Sequence, residues 1–122
     1  MNDRKVNILG TEYIIKERTL AEDELLESRD GYTDWTTREI VVRRENELEE
    51  GSLGNMEAYI REVIRHEIVH AFLLESGLDG CATSPFGAWV QNEEMIDWIA
   101  RQGQKIYKAW EEAGALDTIY CV

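Results

Sequence analysis

The chain predicts an α+β fold, a small twisted and mostly antiparallel sheet from its first half packed on two long helices from its second. Two patterns carry that expectation. Apolar residues alternate with a period of two between Lys5 and Arg43, and they recur at helical spacing after Asn55. A third observation limits the size: 122 residues, 43% of them hydrophobic and with a single Pro, suffice for one core and leave little room for a second. Residues 1–122 therefore read as a single domain.

Lys5 to Leu9 and Thr11 to Arg18 flank Gly10 and predict a hairpin, with Val6 and Ile8 alternating on one strand and Tyr13 and Ile15 on the other. Ala21 to Ser28, the acidic run AEDELLES, predicts a short helix. Gly31 to Trp35 and Glu39 to Arg43 predict a second hairpin turning at Asp34–Thr37, with Ile40, Val41 and Val42 as a β-branched centre. Glu45 to Asn55 is polar and reads as a surface loop. Asn55 is placed to cap a helix that runs to about Ser76 and ends at Gly77. Its apolar positions are Met56, Ile60, Val63, Ile64, Ala71 and Leu74. A loop from Leu78 to about Phe86 leads to a second helix, expected over about Gly87 to Ala113 and stopped by Gly114. Trp89, Ile96, Ala100, Gly103, Tyr107 and Trp110 form its apolar stripe and are expected in the core. The alternative for the tryptophans, Trp35 and Trp98 included, is an assembly surface.

Composition excludes several functions. Lys plus Arg number 13 against 25 Asp plus Glu, a net charge of −12. Phosphate contacts need a basic surface, so neither nucleic acid nor anionic lipid is an expected partner. No run of 18 apolar residues is present, and the opening MNDRKVNILG has neither the apolar stretch nor the cleavage site of a secretory signal. Two cysteines, Cys81 and Cys121, make no disulfide framework. A cytoplasmic location is the expectation.

The chemistry is concentrated in His66-Glu67-Ile68-Val69-His70, an H-E-x-x-H segment that contains both histidines of the chain. Residues four apart on a helix share a face, so both imidazoles can address one ion. Neutral imidazole suits Zn²⁺, one ion per chain. Glu67, beside the two ligands, is the expected catalytic residue, a general base toward a water that the ion acidifies. A catalytic zinc also needs a third protein ligand. The segment Asn92-Glu93-Glu94-Met95-Ile96-Asp97 offers it. Glu93 lies on the otherwise apolar stripe and is expected to point inward, whereas Glu94 is rotated by about 100° toward solvent. Cys81 is the rival ligand. Asp97, one turn after Glu93, is placed to accept the free N–H of a ligating imidazole.

H-E-x-x-H followed by N-E-x-x-x-D on a second helix resembles the gluzincin arrangement of zinc metallopeptidases. The size, the strand-rich first half and the phrase His66 to Gly77 resemble most the small zincin domains of the ImmA/IrrE type, common in phages and prophages. The resemblance covers roughly residues 30–110 and is specific only in the two helices. It implies a zincin-like fold, His66, His70 and Glu93 as zinc ligands, Glu67 as general base and Asp97 as the partner of a ligand. It also implies that an edge strand of the Tyr32–Arg43 hairpin lines the cleft and pairs with an extended peptide. The implied function is zinc-dependent hydrolysis of a peptide or protein, a repressor if the ImmA comparison extends so far. The chain departs from thermolysin-like enzymes in lacking their large second domain. No oxyanion donor stands out among Tyr32, Thr83, Ser84 and Tyr120. The alternatives are a zincin-like regulatory or binding protein that is catalytically weak or inactive, and a phage structural or assembly protein.

Overall fold

A computed structural model describes residues 3–45, 53–78 and 92–117. The elements are β1 (Arg4–Ile8), β2 (Thr11–Arg18), one 3₁₀ turn (Glu24–Glu27), β3 (Gly31–Asp34), β4 (Glu39–Arg43), α1 (Met56–Glu75) and α2 (Glu93–Glu112). The four strands form one sheet in the order β1-β2-β4-β3. This is the α+β arrangement expected from the alternation of periods.

Both hairpins form. β1 pairs antiparallel with β2, Val6 opposite Tyr13, and β3 pairs antiparallel with β4, Tyr32 opposite Val41. Between the hairpins β2 and β4 run parallel, Ile15 opposite Ile40, so the sheet is mixed. Strand apolarity accounts for the order. Ile40, Val41 and Val42 are all buried, and a strand buried on both faces belongs inside a sheet rather than at its edge. The more polar β3 takes the edge. Leu9 does not continue β1. It has φ 50° and Gly10 has φ 89°, two left-handed residues that close a tight hairpin, with the Gly10 N–H donated to Asn7 Oδ1 at 2.8 Å.

One face of the sheet packs on α1. Ile8, Tyr13, Ile15, Ile40 and Val42 meet Ile60 and Ala71, with Val63, Ile64 and Ile68 against them. The Tyr13 hydroxyl donates to Glu75 Oε1 at 2.7 Å, tying β2 to the last turn of α1. Val41 alternates to the opposite face of the sheet. α1 begins where expected, the Ala58 N–H bonding Asn55 Oδ1 at 3.0 Å, and ends against Gly77 at φ 82°.

The second helix differs from expectation toward the C-terminal end of its stripe. It begins at Glu93, because the Asn92 side chain accepts the Met95 N–H at 2.8 Å and caps it there; Trp89 lies outside the described residues. Ile96 and Ala100 are buried toward α1, where Arg65 Nε donates to the Ala100 carbonyl at 2.6 Å. Beyond them the stripe leaves the core. Tyr107 and Trp110 are 45% and 54% exposed, and Trp35 and Trp98 are exposed as well.

Candidate metal centre

α1 spends its one buried acid on the cleft. Glu67 is 7% exposed, and its neighbours one residue before and three after, His66 and His70, emerge beside it on the face toward α2. The two Nε2 atoms stand 3.2 Å apart. From the first turn of α2, Glu93 extends both carboxylate oxygens toward them, Oε2 to His66 Nε2 at 3.0 Å and Oε1 to His70 Nε2 at 3.2 Å. His66, His70 and Glu93 form a group able to hold a metal ion. The donor set suits zinc, because bonds of 2.0–2.1 Å in a tetrahedron separate neighbouring ligand atoms by about 3.3 Å. The separation of the two imidazole nitrogens and the distance from each to its own Glu93 oxygen lie slightly inside that edge length, and one donor atom from each of the three residues falls within 4.8 Å of the other two.

The residues around the three donors prepare them. His66 Nδ1 lies 2.7 Å from Asp97 Oδ1. With Nδ1–H donated to that carboxylate, the Nε2 lone pair is free to face an ion. Glu67 Oε1 accepts the Thr33 hydroxyl at 2.8 Å, and the same hydroxyl lies 3.1 Å from the Glu67 carbonyl oxygen. Oε2 is left on the metal side, 4.0 Å from His66 Nε2. Burial raises the Glu67 carboxyl above its usual value, and the Thr33 hydrogen bond and the two imidazoles pull it partly back.

β3 brings Thr33 to this position. Gly31 and Thr33 share a strand face, and at Gly31 the sheet edge presses close to α1. A Cβ there would lie 2.9 Å from Val63 Cγ1 and 3.0 Å from the Val41 carbonyl oxygen. The cleft has a volume of about 330 Å³ and is lined by Arg29, Gly31, Tyr32, Thr33, His66, Glu67, His70, Leu74 and Glu93. On the far side of Glu67 a second hollow of about 300 Å³ is bounded by Asp30, Tyr59, Glu62, Asp97 and Arg101, among others.

All five residues singled out by motif therefore meet in one place, His66, Glu67, His70, Glu93 and Asp97. Glu93 meets the histidines without being buried. Its side chain is 64% exposed, because it sits on the first helical turn at the mouth of the cleft rather than on the packed part of the stripe. Glu94 is exposed, as expected. Of the oxyanion candidates, Tyr32 lines the cleft but donates its hydroxyl to Asp23. Thr83, Ser84 and Tyr120 lie outside the described residues, as do Cys81 and Cys121. Thr33 and Arg29 were not legible in the motif. The only signal for Thr33 was the two-residue alternation that puts it on the same face as Gly31, and that points to Glu67 only once β3 is docked on α1.

Comparison with protein-family models, with curated proteins and with solved structures returned no match.

Proposed function

We propose that this protein is a zinc-dependent metallopeptidase built on a minimal zincin-like domain, similar to the ImmA/IrrE type. The observation that carries the reading is the convergence of two imidazoles and a carboxylate from separate helices, their donor atoms within 4.8 Å of one another, with a buried Glu67 beside them. Zinc held by His66, His70 and Glu93 would polarise the scissile carbonyl and acidify the attacking water. Glu67, whose Oε2 faces the metal side, would serve as the general base toward the attacking water and as the proton donor to the leaving amine. Thr33 holds the other carboxylate oxygen, so Glu67 has one orientation rather than several. Asp97 fixes the His66 ring. The outer edge of β3 is unpaired among the described residues, and it runs past the cleft. It can take an extended peptide by main-chain hydrogen bonds. A phage repressor as the substrate is analogy with the resembling family.

The test is metal content per chain by elemental mass spectrometry, followed by digestion of an unfolded protein such as reduced casein. The wild type should carry about one zinc and Glu93→Gln far less. Glu67→Gln should keep its zinc and lose cleavage by roughly 100-fold or more. No zinc in the reconstituted wild type would overturn the reading. A second reading is favoured by one observation, the commitment of the Tyr32 hydroxyl to Asp23. It is a zinc-holding protein that binds peptides without cutting them, and casein left intact by the zinc-loaded wild type would select it.

A further inference from the structure

Seven arginines of the described residues are engaged by the protein itself. Arg4 and Arg44 pair with Glu17, Arg18 with Asp3, Arg38 with Glu75, Arg43 with Glu45 and Arg101 with Glu62, while Arg65 donates to the Ala100 carbonyl. Arg29 is different. It lines the cleft and has no carboxylate partner among the described residues, in a chain of net charge −12 where acids outnumber bases almost two to one. Its guanidinium lies 6.0 Å from the centroid of the Tyr32 ring, at the limit of a cation–π contact.

The support beneath Arg29 is fixed. The Tyr32 hydroxyl is held by Asp23, whose carboxylate also accepts the Leu25 N–H at 3.0 Å and caps the 3₁₀ turn. The adjacent residue, Asp30, accepts the Arg43 N–H on its carbonyl at 2.8 Å and the Tyr59 hydroxyl on its side chain. A guanidinium is thus presented from a pinned backbone beside a pinned ring, with its donors unspent.

Charge decides what it is for. The carboxylates lining the same cleft are Glu67 and Glu93. A bound dication offsets both, and Arg29 then leaves the cleft with a net positive charge inside an acidic molecule. We infer that Arg29 is a specificity-determining residue that binds a carboxylate of the peptide lying along β3. This rests on the metallopeptidase reading and names its substrate class, peptides with a carboxylate near the scissile bond. The carboxylate can come from an acidic side chain or from the C-terminus, and both offer the paired oxygens that a guanidinium fork recognises.

The experiment uses the zinc-loaded full chain and short peptide hydroxamates as probes, with Kd measured by calorimetry. The hydroxamate is placed at either end, so that each series extends from the zinc along β3 in one direction. Glu is exchanged for Gln in both series, and in the series with the hydroxamate at the N-terminal end the C-terminal acid is also exchanged for an amide. One carboxylate probe should bind about tenfold tighter than its neutral twin, as expected for one partly exposed charge-assisted contact. The preference should fall to within about twofold in Arg29→Gln and be partly retained in Arg29→Lys. Whether the Glu/Gln or the acid/amide pair carries it identifies the source. Hydroxamates that bind without charge discrimination, or whose discrimination survives in Arg29→Gln, overturn this inference and leave the metallopeptidase reading intact. Hydroxamates that do not bind the zinc-loaded wild type at all overturn both.

Discussion

A histidine that ligates a metal must keep one ring nitrogen as a donor and the other as a bare lone pair. His66 has that division made for it by Asp97, 2.7 Å from Nδ1. Asp97 is more than half exposed, so replacing it should leave the fold unharmed while releasing the ring. Asp97→Asn is expected to weaken zinc binding roughly 10–100-fold, the usual effect of losing such a partner. Competition against a fluorescent chelator reads the affinity, and a circular dichroism melt confirms the fold; an unchanged affinity would remove Asp97 from the site. Glu67 shows the same economy. One hydroxyl, Thr33 Oγ1, both orients its side chain and meets its carbonyl.

At the level of elements, the site depends on how closely β3 lies on α1. Gly31 permits that approach, since a methyl group there would intrude on Val63 and on the β4 backbone. Gly31→Ala should therefore cost about 1–3 kcal/mol, measured by denaturant unfolding, and should carry Thr33 away from Glu67. A variant as stable as the wild type would show that the edge strand adjusts freely. The same element explains what could and could not be read from the residues alone. α1 and its caps were legible because Asn55, Gly77 and the apolar period agree, and the candidate ligands because their spacing on helices is local information. The parallel pairing of β2 with β4 is non-local, and no turn motif encodes it. Thr33 was hidden for the same reason, lying 34 residues from its partner. The expected first turns of α2, from about Gly87, lie outside the described residues, and within them the helix starts at Glu93, capped by the extended Asn92. Tyr107 and Trp110 turn outward because the buried apolar residues of α2, Ile96 and Ala100, lie in its first half.

The whole molecule carries a net charge of −12, and much of that acid is tied up in local bonds. Glu57 and Asp3 are held below the usual carboxylate range by Arg44 and Arg18, Glu75 by the Tyr13 hydroxyl, and Glu22 and Glu45 by the N–H groups of Thr19 and Leu20. A carboxylate depressed in the folded state adds stability that is complete above its unfolded value and is lost as pH falls through its folded value. Glu67, raised by burial, acts in the opposite sense, but it is one group against several. The thermal midpoint of the metal-free protein should therefore change little from about pH 7 to 5 and drop below about pH 4, where the carboxylates titrate. A midpoint that held down to pH 3 would show that these bonds contribute nothing. One more property concerns time rather than free energy. Two donors sit within α1, but the third, Glu93, stands on the first turn of α2 with its side chain largely in solvent. Helix ends open far more often than whole domains unfold. An ion held by these three residues could leave by the unwinding of a single turn, so its residence time would be set by that local fraying and not by the lifetime of the fold.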